Sequence, residues 1–254
     1  MLNTSENIFL VAVTVVGALT FMVMLDRIWP WQTRRDHNDL IGWQLSILGT
    51  TYAVILGFML YTVWTTFGAA DLNAELEASA VVNVYLLAEG LPEPQRDQMR
   101  KLARSYADAV VNDDWPHMAR GQEPQESVAI NANMWKTLMS VRTASPTEIT
   151  AEDHALYELS ALTEHRRTRL LQSNSTIPAV LWWVLIAGET LTIVSSCMFG
   201  SPSTKLHALQ VFSFALLIAL SMVAVADINR PFQGSVHVSD YAFHRAQENM
   251  RLDP

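Results

Sequence analysis

The sequence contains one cysteine, Cys197, and therefore has no intramolecular disulfide. It has no long run of Lys or Arg, and its formal net charge of −8 argues against nucleic acid as a partner. Motifs for phosphate-binding loops, serine nucleophile elbows and zinc-binding helices are all missing, and the seven histidines lack the spacing of metal ligands. We therefore expect no catalytic residues, no metal ion and no cofactor. The protein is not expected to be a conventional soluble enzyme.

Half of the residues are hydrophobic, and they are concentrated in four stretches. A bilayer core is about 30 Å thick and needs about 20 helical residues to cross it. The stretches cover residues 8–25, 40–67, 177–199 and 206–226. We predict an all-α integral membrane protein, a multi-pass protein of the cell (inner) membrane with about four transmembrane helices in contact with the lipid bilayer. The first stretch lacks a preceding basic residue and a cleavage pattern, so we interpret it as a retained anchor.

The spans form two predicted hairpins, within residues 1–70 and 177–226. Between them lies an extramembrane insert, residues 71–176, and after them a C-terminal tail, residues 227–254. An even number of spans puts both termini and the insert on one side of the membrane. Arginines flank the spans on both sides, so the positive-inside rule does not determine which side that is.

The insert has apolar residues at three- and four-residue steps, which predicts helices throughout. The predicted elements are a continuation of the second span that stops near Gly90, helices at 95–111 and 125–142, a loop at 112–124, and a helix that begins at Ser145. At Ser145, the sequence Ser-Pro-Thr-Glu predicts a capping box between the Ser145 hydroxyl and Glu148.

The second span carries two neighbouring stripes. Thr50, Val54 and Phe58 recur every four residues and therefore lie on one side of a helix. Small residues form the stripe beside them: Gly42, Ser46, Gly49, Ala53 and Gly57. Small residues let helices approach closely in lipid, so the span is either central in a bundle or oligomer, or lines a pore.

Glu189 lies near the middle of the third span. A charge at that depth costs at least about 2.5–3.5 kcal/mol, so the side chain is expected to face protein or water. Two interpretations stay open. Glu189 belongs to a permeation or proton pathway, or it is a neutral carboxyl group hydrogen-bonded to Thr190, Thr192 or a neighbouring helix.

A charged turn follows the fourth span, and it includes Asp227, Arg230, Pro231, Phe232 and Gly234. Proline lacks an N–H group and glycine permits positive φ, so we expect a fixed bend at the membrane boundary. Arg230 is predicted either to pair with Asp227 or to bind an anion.

Taken together, these features resemble the bestrophin-like domain family of membrane proteins. The residues that carry the resemblance are Gly49, 52–58 and Trp64 in the second span, 75–78, Tyr106 and Trp115-Pro116 in the insert, 167–170, 177–182 and 230–234. A more distant similarity runs to the bestrophins proper, which are pentameric anion channels. In those channels, apolar residues of the second membrane helix form the pore neck around a Leu-Gly-Phe segment. Matching it to residues 56–58 implies that Thr50, Val54 and Phe58 are neck residues.

The resemblance implies a homo-oligomer, a pentamer by analogy, that passes inorganic ions and more specifically anions. Two features depart from the channels. The acidic calcium-binding run after the Pro-Phe-Gly segment of animal bestrophins has no counterpart here, and Glu189 is an unusual neighbour for an anion pathway. Two alternatives remain: a membrane-anchored scaffold or sensor that binds a partner through the helical insert, and a proton or cation pathway that uses Glu189.

Overall fold

The computed structural model describes residues 4–252, and this part of the chain is helical without any strand. The helices are α1 (Thr4–Ile28), α2 (Trp31–Arg35), α3 (Asn38–Leu87), α4 (Gln95–Ala109), α5 (Trp115–Ala119), α6 (Glu126–Met139), α7 (Pro146–Ser173), α8 (Ala179–Cys197), α9 (Thr204–Ile228) and α10 (Tyr241–Leu252). A 3₁₀ turn at Ala88–Gly90 follows α3, and a π-helical turn at Val110–Asp114 joins α4 to α5.

Four helices, α1, α3, α8 and α9, are long and apolar enough to cross a membrane. The predicted all-α membrane fold is therefore confirmed. The helix of the second span continues beyond it as expected, since α3 has 50 residues and is about 75 Å long.

The chain divides into two compact units. The transmembrane unit contains the chain up to Thr65 together with Thr176–Asn229, and the helical unit contains Thr66–Ser175 together with the chain from Arg230 onward. Helix α3 contributes its first part to the transmembrane unit and its last part to the helical unit.

In the transmembrane unit, α1, α8 and α9 pack against one another. The part of α3 in this unit buries one side only, through Tyr52, Leu56, Met59 and Val63. The connection between α1 and α3 is held by Arg34, which is fully buried, pairs with Asp26, and donates a 2.8 Å hydrogen bond to the Cys197 carbonyl.

In the helical unit, the core is formed by side chains of α3, α4, α6, α7 and α10, among them Tyr85, Met99, Tyr106, Leu138, Leu159 and Phe243. The capping box at the start of α7 is confirmed. The Glu148 amide donates to the Ser145 hydroxyl at 3.3 Å, and the Ser145 amide donates to the Glu148 carboxylate at 3.2 Å.

One sequence prediction in this unit was wrong. The first part of the predicted loop at 112–124 is helical, because Trp115 at the start of α5 is anchored by a 3.1 Å hydrogen bond from its indole N–H to the Val238 carbonyl. The predicted tail contains α10, whose Phe243, Ala246 and Met250 recur at helical spacing and are buried in the core.

Candidate functional site

The stripe of Thr50, Val54 and Phe58 lies on an uncovered side of α3. Thr50 is exposed, and the exposed fractions of Val54 and Phe58 are 53% and 69%. The buried side of the same helix is marked by Tyr52 and Leu56. The chain's own packing therefore leaves the predicted neck residues free of contacts that would bury them.

The small-residue stripe beside them is largely open as well. A Cβ atom added at Gly49 or Gly57 would meet no atom within 4 Å, whereas one at Gly42 would contact the Phe199 ring at 3.5 Å. Two of the three glycines thus serve no close packing within the chain. They leave a shallow strip along α3 that another helix can approach closely.

Helix α3 has exposed apolar side chains in the helical unit as well. Leu72, Leu76 and Leu86 recur there at intervals of four and ten residues, and their exposed fractions are 57%, 43% and 51%. By helical spacing the three leucines lie on one side of this part of α3. All three leucines belong to the helical unit.

Glu189 lies on α8 and is partly buried. The residue before it, Gly188, contacts the Tyr52 ring on the buried side of α3. Thr190 and Thr192 donate their hydroxyl hydrogens to carbonyls of their own helix, at 2.8 and 2.7 Å. Neither hydroxyl is therefore a donor for the Glu189 carboxyl group, which the sequence had left open.

The predicted boundary turn lies at the start of the second segment of the helical unit. Gly234 adopts φ +88°, and Phe232 is buried against the Trp115 ring at 5.6 Å between centroids. Arg230 donates a 3.1 Å hydrogen bond to the Gln233 side chain. Asp227 belongs to the last turn of α9, and Pro231 provides the carbonyl that the Val238 amide binds at 2.7 Å.

A buried network of charged residues occupies the centre of the helical unit, and sequence reasoning did not identify it as a site. Arg169 is fully buried and donates to both carboxylate oxygens of Glu77, at 2.7 and 3.0 Å, and to Asp114 at 2.6 Å. The Tyr106 hydroxyl donates to Glu77 at 2.6 Å. The second oxygen of Asp114, Oδ1, has no hydrogen-bond partner within the described residues.

The electrostatics of this network fix its protonation. Burial alone would lower the pKa of Arg169, but the adjacent Glu77 and Asp114 carboxylates raise it above its usual range. Burial and the neighbouring Glu77 carboxylate raise the pKa of Tyr106 well above its ordinary value. Arg169 is therefore a permanent cation, and Tyr106 a permanent hydrogen-bond donor, at physiological pH.

Aromatic contacts complete the network. Trp115 packs edge-on against Phe232 and Phe243, and the Arg169 guanidinium lies 5.2 Å from the Trp115 ring centroid. Five of these residues belong to segments that carry the family resemblance: Glu77, Tyr106, Trp115, Arg169 and Phe232. That shared membership was the one sequence signal that could have linked them. Asp114 gave none, because it stands in a stretch that was predicted to be a loop.

The described residues contain no group of three His, Cys, Asp or Glu side chains that could hold a metal ion.

A comparison with the curated proteins finds no match. Among solved structures, a crystal structure described as that of a membrane protein matches with a TM-score of 0.69 and 12% sequence identity, over 97% of each chain. At this identity the likeness shows a common fold. A family model described as the bestrophin-like domain matches residues 12–243, and the chain therefore belongs to the bestrophin-like domain family.

Proposed function

We propose that this protein is an oligomeric ion channel, more specifically one that passes anions. In this proposal, copies of α3 surround a common axis, and Thr50, Val54 and Phe58 form a constriction that opens and closes by wetting and dewetting. The number of copies is five by analogy with the bestrophins, and the location is the cell (inner) membrane. Transport, not catalysis, is the activity.

One observation carries the proposal: α3 has an uncovered side in both units. Inside a bilayer, exposed apolar side chains need no protein partner, because lipid covers them. Outside the bilayer, a line of exposed leucines along a helix is a mark of an interaction surface. Leu72, Leu76 and Leu86 are exposed on the part of α3 in the helical unit, which favours a second copy of the chain as the covering surface.

The chemistry of the stripe suits an uncharged constriction. Thr50, Val54 and Phe58 carry no charge, and a ring of apolar side chains gates by excluding water. Glu189 is the charged residue that argued against an anion pathway, but it belongs to α8 and not to the helix that carries the stripe. The stripe itself therefore carries no charge.

Ion flux through liposomes that contain the purified protein tests the proposal. Phe58→Ala removes the largest side chain of the constriction, and we expect a higher flux than in wild type, because a wider and less apolar ring wets more easily. Phe9→Ala is the matched control. Phe9 is a phenylalanine of the α1 span whose exposed fraction is 70%, and its removal is expected to leave the flux unchanged.

Exchange of chloride for a large organic anion tests ion selectivity in the same vesicles. Equal flux in wild type and Phe58→Ala would remove the constriction from the proposal. No flux in either protein would refute the channel function and favour the scaffold alternative.

A further inference from the structure

The part of α3 in the helical unit exposes a stripe of residues at alternating steps of three and four. The residues of this stripe, which we call the α3 seam, are all exposed: Ala69, Leu72, Leu76, Ser79, Asn83 and Leu86. Such alternating steps are the seven-residue repeat of a coiled coil, in which the stripe packs against a partner helix. Among residues 4–252, no helix covers the seam.

Lipid does not account for the exposure of the seam. Helix α3 is about 75 Å long, whereas a bilayer core is about 30 Å thick. Residues 40–67 contain no charged side chain, but Asp71, Glu75 and Glu77 stand within the stretch that carries the seam. The seam therefore belongs to the part of α3 outside the hydrocarbon, where a line of exposed leucines marks a protein interaction surface.

The seam runs between two different edges of the helical unit. On one side, Arg245 of α10 lines a groove together with Ser79 of α3. On the other side, Glu158 of α7 lines a groove together with Leu86. Asn83 lines both grooves, so Arg245 and Glu158 flank the same stretch of the seam.

The two edges carry opposite charges. Arg245 is exposed, and its guanidinium lies 5.8 Å from the centroid of the Tyr241 ring. The Glu158 carboxylate accepts a 3.1 Å hydrogen bond from the Asn83 side-chain amide. Within the part of the chain that the structure describes, neither Arg245 nor Glu158 forms an ion pair, although Glu75 lines the same groove as Arg245. The α10 edge of one copy is therefore complementary in charge to the α7 edge of another.

Insertion into a membrane restricts how two copies meet. Copies of one membrane protein cross the bilayer in the same direction, so their α3 helices run parallel. A ring of parallel copies joins two different surfaces at each contact, in the heterologous manner of a closed cyclic oligomer. Around the α3 seam these surfaces are the α10 edge of one copy and the α7 edge of the next.

We propose that the α3 seam is the interface between neighbouring copies of this chain, and that Arg245 of one copy pairs with Glu158 of the next. The seams pack as a parallel helical bundle, and Asn83 fixes its register, because a polar residue within a coiled-coil stripe specifies how the helices align. This inference rests on the oligomeric part of the proposed function and does not require conduction.

Cross-linking between differently tagged copies tests the pairing. One copy carries Arg245→Cys and the other carries Glu158→Cys, both in a Cys197→Ala background that removes the native thiol. With a short bis-maleimide reagent, we expect a covalent dimer that bears both tags. Either variant expressed alone should give none, because the two edges are different surfaces. Met139→Cys, at an exposed residue of α6, replaces Glu158→Cys in the control and should not cross-link.

Charge reversal tests whether the pair contributes to assembly. Arg245→Glu and Glu158→Arg should each weaken association about tenfold or more, because like charges then meet, and the double variant should regain most of the wild-type association. Leu76→Glu should abolish assembly, whereas Met139→Glu and Arg167→Glu, changes at exposed residues away from the seam, should not. Light scattering of the detergent-solubilised protein over a dilution series measures the association.

Ion flux in liposomes separates the interface from the channel function. If the cross-link forms and charge reversal behaves as expected but no ions pass, the channel function fails and the interface stands. If wild type conducts as an oligomer but the cross-link is missing, or the double variant associates no better than the single ones, the interface is refuted and the channel function stands. A monomeric wild type in membranes would refute both.

Discussion

Replacing Arg169 by methionine is the sharpest test of what holds the helical unit together. Arg169 makes hydrogen bonds to Glu77 and Asp114 between 2.6 and 3.0 Å, and the three side chains are fully buried. Methionine keeps most of the side-chain length but removes the cation. Two carboxylates would then face each other in the core without a counter-charge.

The expected loss is about 3–5 kcal/mol, which is typical when one partner of a buried ion pair is removed. For a unit of this size we expect a decrease in Tm of about 10 °C or more. Protonation neutralises the two carboxylates, so lowering the pH from about 7 to about 4 should restore part of the stability of the variant relative to wild type. Changing Glu77 and Asp114 to leucine in the same chain should restore more, since a buried ion pair can be replaced by apolar side chains at little cost.

Thermal unfolding of the detergent-solubilised protein, followed by far-UV circular dichroism, measures the effect. Arg167→Met is the matched control, because Arg167 is an exposed residue of the same helix and its loss should change stability by about 0.5 kcal/mol or less. Equal melting of the Arg169 and Arg167 variants would refute the reasoning. The reasoning would also be refuted if lowering the pH made the Arg169 variant still less stable relative to wild type.

Two further predictions concern individual contacts. Because burial raises the pKa of Tyr106, wild type should lose stability as the pH rises above about 10. Tyr106→Phe should reduce this loss and should itself cost about 1–3 kcal/mol of stability at neutral pH. Melting measured at several pH values tests both effects, and Tyr157→Phe, a change at an exposed tyrosine, should show neither. Gly188→Ala should cost about 1–3 kcal/mol of stability, because the added Cβ atom would clash with Tyr52. Gly49→Ala should leave the melting of detergent-isolated monomers unchanged, because nothing lies within 4 Å of a Cβ atom there. Equal losses of stability in the two variants would contradict the close contact between Gly188 and Tyr52.

Much of the fold could be predicted because its signals are local. The long apolar runs defined the four spanning helices, and the Ser145 to Glu148 capping box fixed where α7 begins. The sequence was less informative where tertiary contacts determine whether a segment is helical. Helix α10 has a short and mostly polar sequence, and only its Phe243, Ala246 and Met250 pattern indicates that one side packs on the core. Helix α5 is fixed by the distant Trp115 to Val238 hydrogen bond.

The candidate sites also combine features that local spacing predicts with features that depend on distant contacts. Four-residue spacing alone groups Thr50, Val54 and Phe58 on one side of α3, and the structure leaves that side uncovered. Whether a helix side faces lipid, a pore or the core depends on neighbouring helices, which spacing does not reveal. The Tyr52 and Gly188 contact joins residues 136 positions apart in the chain, so no local pattern indicates it.

The residues that mark the family do not all serve the same purpose, and this bears on what family membership implies. Glu77, Tyr106, Trp115 and Arg169 converge on one buried network in the helical unit, where they stabilise its core. A chain can therefore keep the marks of the fold in that unit whether or not it conducts. In the proposed channel, the constriction is on the uncovered side of α3, where Phe58 and Val54 are free of the chain's own core. Family membership thus supports the architecture more directly than the ion specificity, and flux measurements on the α3 variants carry the greater weight for function.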